Sequence, residues 1–481
     1  MPQTTASPSA SHSRTRAAAA LAIVCIGTLV APLDSAVNIA LPSMSAAFSA
    51  PISDIRWVVI AYVLTYASLL LICGRLGDLI GYRKVFQAGL AVAVVGFLAC
   101  ATAPSLTALA LDRIVQGIGI ALLLSCAPAL ATTLYAEEER TRVLALYAAA
   151  SAAGAALGPV LGGLMIARLG WSGVFWMRAP IALAALLLSW SIPPPSPPAA
   201  PPTARGSFDV VGAALLVTTL ACVFLGFALR GGAPVPLLRA ALLTAGAVAF
   251  VAFVRQELRH PAPILRIGVF RNRAFAIMNL LSVVANYAAF SIMLLVPYYL
   301  TRSLGLGPET GGIVLAMAAV GTIAGSWLAG RLARRLGIAP LTATGIVLSL
   351  VGLGAMATWS AATPLVLVTA AMLAQGIGLG LFQVAYADLV TATLPLQDRG
   401  VAGSLTMVTR TIGVVGGANG HAAVQDWGEA MARAGGLAAD LAFEAGFRLA
   451  MGQAAAVLAV GAALCLLALA RGRGRTCADK P

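Results

Sequence analysis

Charge is what this sequence has least of. Asp, Glu, Lys and Arg make up 10% of its 481 residues, where a soluble domain carries about 25%, so a water-solvated globule is excluded. Lysine occurs only at Lys84 and Lys480. Neither follows a glycine-rich run, which rules out a phosphate-cradling loop and with it ATP hydrolysis by this chain. The three histidines, His12, His260 and His421, have no metal-ligand spacing, so no metal and no cofactor are expected. Of seven cysteines, Cys477 is in the tail and the others lie in or beside apolar stretches, which is no disulfide framework. Soluble segments are short too, the longest being roughly 22 residues near Gln425–Gly446. That leaves no room for an extramembrane catalytic domain, and an enzyme is disfavoured.

What is present in excess is apolar residue: 60% of the chain, with a mean hydropathy of +0.92. Apolar runs near the ~20 residues that cross a hydrocarbon core recur along the chain. Lipid offers no partner for a free backbone N–H or C=O, so they must be helices. The predicted spans are Ala17–Leu41, Trp57–Cys73, Val85–Ala101, Leu106–Thr132, Val143–Leu169, Val174–Trp190, Phe208–Leu229, Pro236–Phe253, Phe275–Leu300, Gly311–Leu332, Ala339–Thr358, Pro364–Val390, Val401–Val424 and Phe447–Leu469. The expected fold class is therefore an all-α polytopic membrane protein with about 14 transmembrane helices. The first run continues past Asp34 to Leu41, too long for a signal peptide.

The net charge of +14 would suggest nucleic acid as partner in a soluble protein. Here its placement suggests the bilayer instead. With the N-terminus inside, only seven basic residues fall outside, namely Arg56, Arg168, Arg230, Arg239, Arg302, Arg433 and Arg448, against 21 inside. That bias is what the positive-inside rule demands. It predicts a multi-pass protein of the cell inner (plasma) membrane with both termini cytoplasmic.

A run of prolines, Pro193–Pro202, marks a semi-rigid boundary. Across it the chain repeats itself. Gly74-Arg75-Leu76-Gly77-Asp78-Leu79-Ile80-Gly81 recurs as Gly330-Arg331-Leu332-Ala333-Arg334-Arg335-Leu336-Gly337, and Gln116-Gly117-Ile118-Gly119 as Gln375-Gly376-Ile377-Gly378. Arg140, Gly154 and Gly158 recur as Arg399, Gly413 and Gly417. Three motifs in register imply two homologous six-helix bundles with an inserted helix pair. The expected organisation is an N-terminal tail over 1–16, a first bundle over 17–190, a linker over 191–207, the inserted pair over 208–253, a basic loop over 254–274, a second bundle over 275–470 and a tail over 471–481. Parallel repeats of this kind are a transporter architecture, with the solute site between the halves.

The segment Gly74 to Lys84 (GRLGDLIGYRK) resembles the signature loop of the major facilitator superfamily, and Asp112 to Ala121 (DRIVQGIGIA) its fourth-helix motif. Gly154 to Gly163 (GAALGPVLGG) resembles the fifth-helix motif associated with antiporters, and Leu33 to Pro42 (LDSAVNIALP) the first-helix motif of the fourteen-helix drug:proton antiporters. The likeness spans almost the whole chain and implies proton-driven export. Two positions depart from the family's pattern. Arg178 stands where Asn usually precedes a Pro in the sixth span, and Asp112 lies beside Arg113.

Individual residues carry the chemistry. Asp34 interrupts the first span roughly 10 Å below its outer end, and Arg113 lies roughly 12 Å into the fourth. A carboxylate in hydrocarbon must pair, take a proton or line a wet cavity. Asp34, Arg113 and Gln116 are thus the candidate proton-coupling set, with an Arg113–Asp112 ion pair as the alternative for Arg113. Gly74, Asp78, Gly81, Arg83 and Lys84 read as a tight cytoplasmic turn that gates the inner mouth, or as a solvated loop that only sets topology. Gly154, Gly158, Pro159, Gly162 and Gly163 form a small-residue stripe, either an antiport element or plain close packing. Arg178, Asn286, Tyr287, Gln383 and Arg410 are candidates for the substrate cavity, where Arg410 meets an anionic solute or neutralises Asp388. Glu137, Glu138 and Glu139 pair with Arg334 and Arg335 or stay solvated.

The expected function is proton-coupled export of small amphipathic drugs or natural products by a monomer, with transport of an endogenous metabolite as the alternative. The expected partners are a small-molecule substrate, protons and the lipid bilayer. Reporter fusions after Arg142 and after Arg273 should report cytoplasm, and one within 435–442 the outside. The reverse pattern would overturn the orientation.

Overall fold

The computed structural model describes residues 8–133, 135, 139–193, 209–228, 235–260, 267–393 and 399–478. The Pro-rich linker from residue 194 onward and the acidic Glu137 and Glu138 lie outside the described residues, as do the side chains of Asp78 and Arg334. Among the described residues every regular element is helical. In order they are α1 (Pro8–Leu29), a 3-10 turn (Pro32–Ser35), α2 (Ala36–Ala47), α3 (Ile52–Ile80), α4 (Tyr82–Ala101), α5 (Leu106–Thr133), α6 (Arg140–Leu169), α7 (Gly173–Trp176) and α8 (Arg178–Ser189). Then follow α9 (Val210–Ala228), α10 (Val235–Arg259), a second 3-10 turn (Ile267–Arg271), α11 (Arg273–Arg302), α12 (Pro308–Leu336), α13 (Ile338–Met356), α14 (Leu365–Thr393), α15 (Arg399–Ala434) and α16 (Ala439–Ala478).

Among the described residues 11 helices are long and apolar enough to cross a membrane, fewer than the expected 14. The physical reasons differ. The sixth predicted span is split at Met177 into α7 and α8, and α15 carries Arg410, His421 and Asp426 along its length. The first span is not one helix either. Pro32 has no N–H to continue the ladder, and the chain tightens into the 3-10 turn before α2 resumes to Ala47. The segment expected as soluble near Gln425–Gly446 is largely helical: α15 runs on to Ala434 and α16 begins at Ala439. Polar residues do not end a helix whose backbone bonds are made internally.

The repeat reappears as matched packing. Gly96 lies against the backbone of Gln116, and Gly352 against that of Gln375; Gly89 meets Gly119, and Gly345 meets Gly378. In each pair a side chain in place of either glycine would strike backbone. The turn expected over Gly74–Lys84 is much shorter than that. Helix α3 runs through Gly74 to Ile80, and only Gly81 leaves it, at φ +98. Gly337 does the same between α12 and α13, at φ +79. Glycine alone enters that region without steric cost.

Helices α6 and α12, from either side of the Pro-rich segment, meet along a seam. There α6 crosses α12 so closely that a Cβ on Gly163 would enter the Pro308 carbonyl, and one on Gly312 the Pro159 carbonyl. Beside it Tyr298 Oη donates to the Leu41 carbonyl at 3.3 Å, and Asn38 Nδ2 reaches Met293 Sδ at 3.5 Å. These contacts all lie at one end of the molecule. Gly312→Val should therefore part the helices there. In a background with native cysteines replaced, a cysteine at position 38 should then react faster with a soluble maleimide than in the parent. Equal rates would show that the crossing does not hold this end shut.

Candidate functional site

The break in the first span is where the charge is. Asp34 lies in the 3-10 turn, and its carboxylate is directed into the bundle toward α5 and α8. Its carboxylate receives four bonds. Arg113 donates in parallel, Nη1 to Oδ1 at 2.6 Å and Nη2 to Oδ2 at 2.7 Å; Arg178 Nη1 reaches Oδ1 at 2.5 Å, and Gln116 Nε2 reaches the same oxygen at 3.0 Å. Both guanidinium side chains are 0% exposed, while the Asp34 side chain keeps 13%. Asp34 is thus the member of the cluster with a face toward open space.

The arginines are anchored from behind. Arg113 Nε donates to the Val58 carbonyl at 2.7 Å and its Nη1 also to Gln116 Oε1 at 2.8 Å. Arg178 Nε donates to the Val174 carbonyl at 2.9 Å. Aromatic faces replace water around them: Tyr62 lies 4.1 Å from the Arg113 guanidinium, and Phe97 4.8 Å from that of Arg178. Cation–π contact favours a desolvated guanidinium. The alternative of an Arg113–Asp112 pair is overturned, since the fork of Arg113 is filled by Asp34. Arg178 is also not a cavity residue. It is fully buried and belongs to the carboxylate cluster, with Nη2 left unpartnered among the described residues. One carboxylate against two guanidiniums leaves an excess positive charge inside the bundle.

The small-residue stripe of α6 supports this turn directly. A Cβ on Gly154 would strike Pro32, one on Gly158 would strike Ser35 Oγ, and one on Gly162 would strike Ala36. Ser35 Oγ donates to the Ala155 carbonyl at 3.0 Å. On the same helix Pro159 and Gly163 face α12. One helix thus touches both the turn that holds Asp34 and the seam to the second half.

Other expected site residues are scattered. Tyr66, buried on α3, is within electrostatic reach of both Asp34 and Arg410, and Arg410 itself is exposed. Among the described residues no ion pair joins Arg410 to Asp388. Asn286 donates to the Ser282 carbonyl of its own helix at 2.8 Å, which makes it a packed residue rather than a cavity one. Gln383 is half-buried on α14. Tyr287 belongs to a separate cluster with His421 and Gln453. At the opposite end from the seam, Arg83 Nη2 donates to the Trp190 carbonyl at 2.6 Å, Lys84 is exposed, and Glu139 precedes α6 without a side-chain capping bond.

The profile of the Major Facilitator Superfamily matches residues 23–418. The chain belongs to the major facilitator superfamily. It is 33% identical over 324 residues to the methylenomycin A resistance protein of Bacillus subtilis, covering 66% of this chain and 67% of that one. It is 26% identical over 393 residues to the riboflavin transporter RibZ of Clostridioides difficile (82% and 84%), and 29% over 413 to the multidrug efflux pump LfrA of Mycolicibacterium smegmatis (85% and 81%). In fold it resembles a bacterial homologue of the human lysosomal transporter Spinster, with a TM-score of 0.70, 16% identity and 96% and 97% of the two chains covered. This superfamily member is a multi-pass membrane transporter of small molecules, not an enzyme.

Sequence reasoning found Asp34, Arg113 and Gln116 and their shared depth, and misplaced Arg178. It also missed the aromatic walls of Tyr62, Phe97 and Phe175, which look like ordinary core residues until the guanidiniums lie on them. Cutting the Asp34 cluster should be costly in proportion to the bonds lost. Breaking a buried ion pair costs about 3–5 kcal/mol. Arg113→Leu, which removes the two-pronged contact and the Val58 anchor, should lower thermal stability in detergent more than Arg178→Leu. Equal losses would mean that the fork is not what holds the turn.

Proposed function

We propose that this superfamily member is a proton-coupled exporter of small amphipathic drugs or natural products, working as a monomer by alternating access. The single observation that carries the reading is the Asp34 carboxylate, bound by Arg113, Arg178 and Gln116 at the break of the first span. A proton and the two arginines compete for the same two oxygens. Protonation releases the guanidinium bonds, and α6, which packs on that turn and on α12, carries the change to the seam. Differential binding of this kind is what shifts a conformational equilibrium. The excess positive charge and the nearby Tyr66 and Arg410 suit solutes with acceptor or anionic groups beside an apolar body.

The layout that fits this reading is a drug:proton antiporter of 14 spans. It adds α7–α8, α9 and α15 to the 11 apolar helices, as two six-helix bundles with α9–α10 inserted between them. With both termini cytoplasmic in the plasma membrane, the α6–α12 seam lies outside and the described arrangement opens inward. Asp78, Gly81 and Arg83 then sit at the open mouth, where Asp78 latches the closed form, and an ion gradient rather than ATP drives the cycle. A second reading, movement of an endogenous metabolite, is favoured by the riboflavin transporter among the relatives.

The test is uphill transport in everted vesicles and whole cells, first with ethidium and with riboflavin as probes. The parent should concentrate its substrate against a gradient and lose this with a protonophore. Asp34→Asn, which keeps the shape but cannot ionise and replaces one acceptor oxygen by a donor amide, should reduce uphill transport roughly ten- to a hundredfold, as loss of a charge-assisted bond of ~1.5–3 kcal/mol implies. Normal uphill transport by this variant would remove Asp34 from the coupling mechanism.

A further inference from the structure

The second half of the chain holds a titratable group that the Asp34 cluster does not touch. His421 on α15 is 0% exposed. Its Nε2 lies 2.8 Å from the Tyr287 carbonyl oxygen on α11, and its Nδ1 3.0 Å from Gln453 Oε1 on α16. Gln453 Nε2 in turn donates to Tyr287 Oη at 2.7 Å. The ring of Tyr287 lies against the imidazole, with centroids 4.6 Å apart. The cluster is built with room for the phenol: a side chain in place of Gly420 would strike Tyr287 Oη, and one in place of Gly413 would strike the backbone of α11. Three helices are thus joined by three side chains that close a ring of polar contacts.

The donors and acceptors in that ring can be counted. A backbone carbonyl can only accept, so Nε2 carries a hydrogen in every state. The state of Nδ1 then depends on which end of the Gln453 amide faces it, because the two ends have the same shape and opposite hydrogen-bonding sense. With Oε1 toward the ring, Nδ1 must also carry a hydrogen. The ring is then imidazolium, Gln453 Nε2 donates to the Tyr287 oxygen, and the phenolic hydrogen is free to point elsewhere. With the amide turned over, Nε2 of Gln453 donates to a bare Nδ1. The ring is then neutral, and Oε1 takes the phenolic hydrogen back into the cluster. The two arrangements differ by one proton on Nδ1 and one half-turn of an amide; both ring nitrogens are partnered in each, and the phenolic hydrogen is bound within the cluster only in the neutral one.

We propose that His421 is a second proton-binding site of this transporter. Taking up a proton at Nδ1 turns the Gln453 amide and frees the Tyr287 hydroxyl to donate outside the cluster. The groups that act on the ring are the Tyr287 carbonyl on α11 and Gln453 on α16. The nearest charged residues on α15 itself, Arg410 and Asp426, stand eleven and five positions away. On α3 the tyrosine nearest Arg410, Tyr66, belongs with Asp34. Proton occupancy here is thus set first by burial of the ring and then by the cluster's own bonds, and not by a neighbouring charge. The consequence for transport rests on the proton-coupled reading above, but the binding of the proton does not.

The chain has three histidines, so replacing His12 and His260 with Gln leaves His421 as the one imidazole signal. Nitrogen-15 NMR of that full-length variant in lipid nanodiscs, titrated from about pH 8 to about pH 4, should show Nδ1 passing from acceptor to N–H. Nε2 should stay protonated throughout. A tyrosine C–O infrared band should shift over the same pH range and be missing from that step in Tyr287→Phe, while the Nδ1 titration persists. A ring that only packs, with Nδ1 in one state across the whole range, overturns the proposal, as does an Nε2 that loses its hydrogen. A titrating Nδ1 with no tyrosine response would keep proton binding and overturn the Tyr287 relay. None of these outcomes depends on whether Asp34→Asn still transports uphill.

Discussion

An ionised carboxylate inside hydrocarbon is the constraint on which the rest of this structure depends. Taking Asp34 out of water costs several kcal/mol unless its lone pairs are filled. Three donor side chains from α5 and α8 fill them. Those donors include two guanidiniums that must themselves be buried, so carbonyls of Val58 and Val174 and the faces of Tyr62 and Phe97 are enlisted in turn. The helix must also break to present the carboxylate, and the glycines of α6 leave the space into which the broken turn fits. Local geometry, helix packing and charge are one problem with one solution here.

The α6 stripe is a packing element with two sides. Small residues let helices approach closely whatever the purpose. What distinguishes this stripe is its two sides. Gly154, Gly158 and Gly162 receive the Asp34 turn, and Pro159 and Gly163 receive α12. A rearrangement at the carboxylate is therefore a rearrangement of a helix that is already in backbone contact with the other half.

Much of this was legible in the sequence because hydrocarbon permits few solutions. Long apolar runs must be helices, an acid among them must have a partner, and glycines in register must mark equivalent crossings. Asp34 and Arg113 were placed at one depth from residue counts alone, and Gly81 was recognised as a turn. What was not legible depends on direction rather than type. Arg178 looks like a cavity residue until α7 and α8 are seen to turn it inward on Asp34. Asn286 looks polar and available until its amide is found on its own helix. The break after Leu29 was hidden because the residues on either side of Pro32 remain apolar, and hydropathy does not register a change of helix geometry. His421 lies within a predicted span as Asp34 does, but a lone imidazole without metal-ligand spacing carries no signal of its partners on other helices.

The depth of the Asp34 cluster has an electrical consequence. Moving one elementary charge across the whole membrane is worth ~2.3 kcal/mol per 100 mV, and a charge part-way through feels a corresponding part of that drop. The cluster combines one carboxylate with two permanent guanidiniums, so its net charge changes by one whenever the carboxylate does. A proton reaching Asp34 from either face crosses a fraction of the field. On the proposed coupling its occupancy is then a function of voltage as well as of pH, and a single side chain would read the two components of the proton-motive force.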